Sequence, residues 1–313
     1  MKNGKRSTLF GAALIVLGIL LGLLLGQWQE EKLQKLLVKL PFGGLSRPAA
    51  SVGGTLPDAP LLEAGDERFI HLQYGSDCAY RPDEAALLFR SLDCNLLGDE
   101  PTVLILHTHA SECYTRQNGE NYSQGADFRT LNTDYNMVAV GDKLTALLEE
   151  AGISVLHDRV LHDYPTYSQS YSNARRSTQA LLEQYPSIRL VLDLHRDSML
   201  NSDGSQYAAT AIVDGELAAR MMLVVGTDAA GMNHPNWQEN LSLGLKLQVL
   251  LEKNAPGITR PTMLRAQRFN QDLLPGALIV EMGAAGNSLS EAMKSAEYLA
   301  EAIVNLTKAN STS

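Results

Sequence analysis

The chain has 313 residues with a net charge of −9, and 45% of its residues are hydrophobic. This composition excludes a disulfide-stapled miniprotein and a disordered tail, and it allows one large domain or two small ones. The acidic balance argues against a nucleic-acid partner, because phosphates require a basic surface. The charge is uneven: residues 1–40 carry +4, so the remainder carries −13.

The N-terminal region predicts a membrane anchor. Residues 9–26 contain no charged side chain, and a helix of that length rises about 27 Å, close to the roughly 30 Å of a hydrocarbon core. Basic residues precede this run, and the positive-inside rule then keeps the N-terminus in the cytoplasm. The basic residues are Lys2, Lys5 and Arg6. The alternative is a cleaved signal peptide, but the run ends in Gly-Gln-Trp-Gln-Glu-Glu, a poor cleavage site.

A tether follows the predicted anchor. Residues 41–66 are rich in Pro, Gly, Ser and Ala and show no hydrophobic period, which is typical of a flexible linker. The chain is therefore divided into four segments. They are a cytoplasmic tip (1–8), a single transmembrane anchor (9–28), a juxtamembrane segment with linker (29–67) and one folded domain outside the cell membrane (68–310).

Three cysteines are compatible with an exterior location. Cys78 and Cys94 are spaced to close a loop of about 17 residues, which a disulfide would stabilise by roughly 3 kcal/mol in the chain-entropy model. Cys113 would remain unpaired. We interpret it as a small, partly buried residue rather than a nucleophile, because no dedicated base accompanies it.

Strand and helix patterns alternate through the folded domain. Continuous apolar runs predict buried strands, and apolar residues at helical spacing predict amphipathic helices. In chain order, the predicted elements are a strand over 102–106, a helix over 133–151 that begins at a Thr/Asp cap, a strand over 153–157, a helix over 167–185, strands over 189–194, 208–213 and 221–225, a helix over 237–254, a strand over 277–282 and a helix over 290–308 capped by Ser290. This order predicts an α/β fold of three layers with a mostly parallel central sheet, to which 208–225 adds antiparallel neighbours.

Three predicted strands end in ionisable residues. The runs are followed by His-Thr-His-Ala-Ser-Glu at 107–112, Asp-Leu-His-Arg-Asp-Ser at 193–198 and Val-Glu-Met-Gly at 280–283. An ionisable group beside a buried strand costs free energy unless it is paired or bound to metal. Ligands of such sheets bind beyond the carboxyl ends of the strands, so we expect these residues to meet there.

The residue types at these strand ends predict a catalytic zinc site. His109 and Glu112 lie one helical turn apart, and His195 completes three protein ligands, which leaves a fourth position for water. Glu281 then serves as general base toward that water and as acid toward the leaving amine. His107 is an alternative ligand, because it faces the same side as His109 if the strand continues through both.

Neighbouring polar residues have roles that the sequence leaves open. Asp193 and Asp197 flank His195 and are placed to orient an imidazole. Arg196 is a catalytic candidate that holds a substrate carboxylate or stabilises an oxyanion, with a structural ion pair as the alternative. Asn287 either donates to the substrate or fixes a turn.

These motifs resemble the stage II sporulation protein P family. The resemblance runs collinearly through TDYNM at 133–137, HDYPTYSQSY at 162–171, the segment 224–247 and FNQDLLPGALIVEMGAAGN at 269–287, and it covers roughly residues 68–308. An N-terminal anchor and a tether also agree with that family. Cys113 departs from the pattern, which leaves the metal set intact but changes the expected shape of the pocket.

The resemblance implies a phosphorylase/hydrolase-like fold and a zinc-dependent N-acetylmuramoyl-L-alanine amidase that acts on peptidoglycan, with a second activity as crosslink endopeptidase. It further implies septal wall thinning and engulfment during sporulation, at the sporulation septum and forespore-engulfing membrane, with the stage II sporulation proteins D and M as partners. Carried over onto this chain, the Zn²⁺ ligands are His109 (or His107), Glu112 and His195, and the catalytic acid/base is Glu281.

Two other functional classes remain open on the sequence. A zinc carboxypeptidase-like amidohydrolase acting on free peptides shares the same ligand pattern, and it requires an arginine such as Arg196 or Arg129 to anchor a terminal carboxylate. A non-enzymatic wall-binding domain that recruits partners is the other class. The full set of ionisable residues at the strand ends argues against it.

Overall fold

The computed structural model describes residues 62–311. The predicted cytoplasmic tip and membrane anchor, and nearly all of the predicted linker, lie outside these residues. Within 62–311, no helix has both the length and the hydropathy that crossing a bilayer requires.

The described residues form an alternating series of strands and helices. The strands are β1 (Leu72–Tyr74), β2 (Val103–Leu106), β3 (Val155–His157), β4 (Leu190–Asp197), β5 (Thr210–Val213), β6 (Glu216–Ala219), β7 (Met222–Gly226), β8 (Thr262–Arg265) and β9 (Ala277–Ala284). The helices are α1 (Glu84–Leu88), α2 (Met137–Glu150), α3 (Ser170–Gln184), α4 (Trp237–Asn254) and α5 (Leu289–Ser311).

The central sheet has seven strands in the order β1-β8-β7-β9-β4-β2-β3. Every neighbouring pair is parallel except β7 and β9, which are antiparallel. The predicted α/β fold with a mostly parallel sheet is therefore confirmed. The expectation for 208–225 holds only for β7, because β5 pairs with β6 in a separate two-stranded hairpin.

Helices cover both faces of the sheet, which gives the predicted three layers. Alternate residues of β2 point to opposite sides, as strand geometry requires: Val103 and Ile105 join the larger core with α2, α4 and α5. Leu104 and Leu106 join a smaller core with Ala174 of α3. On the α3 side of β7 and β8, Met222 and Val224 pack with Ile279, Met263 and Phe269 rather than with a helix of residues 62–311, and this bare region borders the site described below.

The starts of two helices differ from the predictions. Helix α2 begins at Met137, because Asn136 supplies the cap and its Oδ1 accepts a hydrogen bond from the Val138 amide at 3.0 Å. Helix α5 is capped two residues earlier than predicted. Ser288 Oγ accepts from the Glu291 amide, and Glu291 Oε2 accepts from the Ser288 amide, a reciprocal capping box.

Several short elements were not predicted. Strands β1 and β8 and helix α1 have three to five residues each, and none contains an apolar run long enough to distinguish it from a loop.

The cysteines provide a second difference. Cys78, Cys94 and Cys113 are all free and buried, so the loop that a Cys78–Cys94 disulfide would close is not closed.

Candidate active site

The carboxyl ends of β2, β4 and β9 lie side by side. The three strands are parallel and β4 lies between the other two, so the residues that follow them meet at one edge of the sheet. A cavity of about 1000 Å³ opens at that edge. The predicted site residues that line it are His109, Glu112, His195, Arg196 and Glu281.

His109, Glu112 and His195 form the centre of this cavity. The Glu112 amide donates to the carbonyl of His109, so the His-x-x-Glu segment closes a single turn. The rings of His109 and His195 are 5.3 Å apart at nearly right angles, and Glu112 Oε2 lies 3.5 Å from His195 Nδ1. The predicted one-turn spacing therefore brings an imidazole and a carboxylate toward the second imidazole.

His107 does not share this position. Its Nδ1 bonds the carbonyl of Leu194 at 3.2 Å and its Nε2 bonds Nε2 of His157 at 2.8 Å. The ring is fully buried, and burial together with the neighbouring His157 lowers its pKa to about 3. Both nitrogens of His107 are engaged away from the cavity, so this geometry favours His109 over His107 as the ligand candidate.

His195 is oriented by Asp193. Asp193 Oδ1 lies 2.9 Å from His195 Nε2, an ion-pair contact whose angle falls outside hydrogen-bond geometry. The same carboxylate accepts hydrogen bonds from both the amide and the hydroxyl of Thr108. Burial lowers the pKa of His195, but Asp193 and Glu112 outweigh burial and raise it well above its ordinary value. Nδ1 is thereby left facing Glu112.

Glu281 lies beside His195 in the strand register. Its Oε2 is buried and has no hydrogen-bond partner. Burial raises the pKa of Glu281 to about 8, and the carboxylate of Glu112 adds to this shift while His195 opposes it. A carboxyl group tuned close to neutral pH, with an oxygen free to exchange a proton, has the properties of a general acid/base.

Glu112 remains ionised beside this neutral carboxyl. Burial raises its pKa, but the hydrogen bond and charge of His195 and the charge of Arg196 lower it to about 2. The amide of Arg196 also donates to Glu112 Oε2 at 3.2 Å. Two carboxyl groups of opposite tendency thus flank His195, an arrangement that separates an anionic ligand from a proton carrier.

Arg196 is placed differently from the predicted catalytic role. Its guanidinium donates to the backbone carbonyls of Cys113, Asp127 and Phe128, and its Nη1 is 3.8 Å from Glu112 Oε1. These bonds fasten the loop that carries Glu112. Arg196 is therefore a positioning residue in this geometry, and the structural alternative describes it better than direct contact with substrate.

The sequence did not single out a cluster that covers His109. The Tyr167 ring stacks on His109 at 4.7 Å, and the guanidinium of Arg129 lies 4.5 Å over Tyr167. Arg129 in turn bonds Asp163 at 2.8 Å. Burial lowers the pKa of His109 to about 4, with His195 contributing. The sequence contains Asp163 and Tyr167 within the motif at 162–171, which contributed to the family resemblance but had no chemical role assigned to it.

Two further expectations are resolved by the geometry. Asn287 fixes a turn: its Oδ1 accepts from the amides of Ala284 and Ala209, and its Nδ2 donates to the Ala209 carbonyl. Asp197 does not contact His195, because its Oδ2 accepts from Arg260 at 2.6 Å. Only Asp193 of the two flanking aspartates therefore orients the imidazole.

The donor chemistry of the cavity fits a zinc ion. Two imidazoles and one carboxylate are an established catalytic zinc set, and His109 Nδ1 is buried without a hydrogen-bond partner. The atoms are not yet in place, since no group of three or more His, Cys, Asp or Glu side chains within 62–311 could hold a metal ion as it stands. Ligation would require the side chains of His109, Glu112 and His195 to turn toward a common point.

Comparisons with known proteins identify the family. The model of Stage II sporulation protein P (SpoIIP) matches residues 63–304. Stage II sporulation protein P of Bacillus subtilis (strain 168) is 28% identical over 216 residues, which are 65% of this chain and 50% of that protein. The chain thus spans about half the length of this curated relative.

Solved structures give a weaker likeness. The N-acetylmuramyl-L-alanine amidase Ami1 of Mycobacterium smegmatis is 12% identical with a TM-score of 0.41, covering 70% of this chain and all of that one. The amidase AmiC2 of Nostoc punctiforme is 11% identical with a TM-score of 0.37, over 69% of this chain and 98% of that one. TM-scores this low do not establish a shared fold. Family membership rests on the sequence match, which spans most of the described residues: the chain belongs to the SpoIIP family.

Proposed function

We propose that this chain is a zinc-dependent N-acetylmuramoyl-L-alanine amidase that cleaves the amide between N-acetylmuramic acid and the L-alanine of peptidoglycan stem peptides. One observation carries the proposal: Oε2 of Glu281 is buried without a hydrogen-bond partner, and Glu281 lies beside His195 in the same cavity as His109 and Glu112. Membership of the SpoIIP family supports the sporulation setting and the wall substrate.

Each residue has a defined task in this mechanism. His109, Glu112 and His195 would hold the zinc, and Asp193 keeps His195 turned so that its Nδ1 faces Glu112. When bound, zinc polarises the amide carbonyl and lowers the pKa of water to about 7. In its ionised form, Glu281 accepts the proton of the attacking water at Oε2 and returns it to the leaving amine.

The finer features of the family belong to the same proposal. They are endopeptidase action on peptide crosslinks, a role in septal wall thinning and engulfment during sporulation, and cooperation with the stage II sporulation proteins D and M. The segment 9–28 would anchor the chain in the cell membrane with its N-terminus in the cytoplasm, and the linker would let the catalytic domain reach the wall near the membrane.

The test is product analysis with the full-length chain and purified peptidoglycan. Release of stem peptides that carry a new L-alanine amino terminus supports the amidase, and loss of both zinc and release in His195→Ala supports the ligand assignment. Trimming of free peptides from their carboxyl ends, without release from the glycan, would instead identify a carboxypeptidase. Arg196 is engaged with backbone carbonyls, so it is not placed to serve as the carboxylate anchor of such an enzyme.

A further inference from the structure

A second cavity opens directly beside Glu281. It has a volume of about 440 Å³, and Tyr171, His195, Asp197 and Glu281 line it together with the first cavity. Its remaining lining includes two arginines, Arg260 and Arg265. We call it the arginine cavity. It occupies the region of the sheet that α3 leaves bare.

The strand register explains why this cavity and the catalytic carboxyl share one face. Glu281 of β9 is opposite Met222 of β7, and the next pair in that ladder on the same face is Ile279 with Val224. Val224 is in turn opposite Met263 of β8. Because side chains alternate with a period of two, these apolar residues form a floor that starts at Glu281.

The floor has a definable length. We call residues that are paired across neighbouring strands a row. The row that contains Val224 lies two residues along the strands from the row that contains Glu281, and the row of Gly226 and Arg265 lies two residues further. At about 3.3 Å per residue, Arg265 is in a row about 13 Å from that of Glu281. This distance accommodates roughly four residues of an extended peptide.

Arg260 supplies an unused donor at the end of the cavity near Glu281. Its Nη2 donates to Asp197 Oδ2 at 2.6 Å, which fixes the guanidinium. Its Nη1 is buried and has no hydrogen-bond partner, and Nε of Arg265 is in the same condition. A buried guanidinium nitrogen without an acceptor is costly, and a carboxylate is the acceptor that best fits its geometry.

We propose that the arginine cavity binds the peptide on the amine side of the scissile amide, and that Arg260 anchors a free carboxylate of that peptide. This inference rests on the proposed amidase function and specifies its substrate: a stem peptide with ionised carboxylates, rather than one in which they are amidated. The apolar floor contacts the peptide's aliphatic parts. Arg196 and Arg129 are bonded to groups of the first cavity, whereas Arg260 keeps a buried donor without an acceptor next to Glu281.

The experiment measures binding separately from turnover. The full-length chain is titrated calorimetrically with a synthetic stem peptide that begins with L-alanine and has free carboxylates, and with the same peptide fully amidated. In the wild type, amidation should weaken binding ten-fold or more, as loss of a charge-assisted hydrogen bond implies. Arg260→Gln should bind both peptides as weakly as the wild type binds the amidated one.

Three further variants control this result. Arg260→Lys retains the charge and should keep part of the preference, whereas Arg176→Gln alters an exposed arginine of α3 and should behave as wild type. Met263→Glu places a negative charge on the floor without touching the Arg260–Asp197 pair, and it should weaken the free-carboxylate peptide more than the amidated one. This variant tests the cavity even if Arg260→Gln loses its thermal unfolding transition.

The outcomes separate the two proposals. Equal binding of both peptides by the wild type, or a preference that survives in Arg260→Gln, overturns the carboxylate subsite even if peptidoglycan is hydrolysed. A preference that depends on Arg260, in a chain that releases no stem peptide from peptidoglycan, supports the subsite and overturns the amidase function.

Discussion

The two sides of Glu281 differ in which of their buried polar groups lack a hydrogen-bond partner. On the side of β2 and β4, Asp193 accepts a hydrogen bond from the amide of Thr108, Arg196 donates to the carbonyl of Cys113, and Glu112 accepts from the amide of Arg196. On the side of β7 and β8, guanidinium nitrogens of Arg260 and Arg265 have no acceptor. Buried polar groups are normally satisfied, so both sides have room for a ligand, but of different kinds: the imidazole nitrogens of His109 and His195 suit a metal ion, and the guanidinium nitrogens suit a carboxylate.

Glu281, at the boundary, gives the largest expected effect. Glu281→Gln keeps the size of the side chain but cannot carry a proton, so we expect hydrolysis to fall by about three orders of magnitude. Zinc content and wall binding should be unchanged, because Glu281 is not among the proposed ligands. Turnover assays with parallel metal analysis check this, and unchanged turnover would remove Glu281 from the mechanism.

A substitution of Arg196 tests whether this residue positions the loop that carries Glu112. Arg196→Met leaves three backbone carbonyls without their donor, and we expect the free energy of unfolding to fall by about 3 kcal/mol. Denaturant unfolding measures this loss. Arg176→Gln serves as a control on an exposed arginine. A variant that is as stable as wild type but inactive would return Arg196 to direct catalysis.

A substitution of Asp193 tests whether its carboxylate orients the imidazole of His195. Asp193→Asn can still accept one of the two Thr108 hydrogen bonds but removes the charge that faces His195. Loss of such an outer partner weakens metal affinity or activity about 10- to 100-fold. Metal titration against a competing chelator provides the measurement. Wild-type affinity in this variant would show that His195 needs no partner to hold its orientation.

His157 gives an effect of a different kind, a dependence of stability on pH. Burial lowers the pKa of His157 to about 4, below its ordinary value of about 6.5. The folded state therefore binds fewer protons than the unfolded state between these values. The free energy of unfolding therefore has its full value above pH 6.5. It falls by up to about 1.4 kcal/mol per pH unit as the pH is lowered toward 4.

Unfolding curves between pH 4 and 7 test this dependence. His157→Gln cannot titrate in this range, so its stability should fall less steeply with acidification than that of the wild type. Parallel slopes for the two proteins would show that His157 is protonated without cost in the folded state, contrary to its buried contact with His107.

The sequence predicted the parts of the fold that local pattern determines. Residues 237–254 form helix α4 with the predicted bounds, because long amphipathic periodicity is a strong signal. Strand β4 extends to Asp197 beyond its apolar run, since pairing with β9 continues past the hydrophobic residues. Strands β1 and β8 exist only through such pairing, and their own composition did not reveal them.

The candidate site divides in the same way. Its strand-end residues could be predicted because an ionisable group after a buried strand is unusual in any sequence. Tyr167 and Arg260 could not, because their relevance depends on which distant element they contact: one stacks on His109 and the other reaches Asp197. Only the folded arrangement shows that His109, rather than His107, lines the cavity.

The single antiparallel junction, between β7 and β9, has a consequence for how the family can diversify. It brings the amino ends of β7 and β8 to the edge where β2, β4 and β9 end. The residues proposed for chemistry and those proposed for peptide binding therefore come from separate stretches of chain on opposite sides of one seam. The segment before β8, which carries Arg260, can change in sequence or length while the His109–Glu112 turn keeps its backbone. Substrate preference is thus an exchangeable part of this architecture.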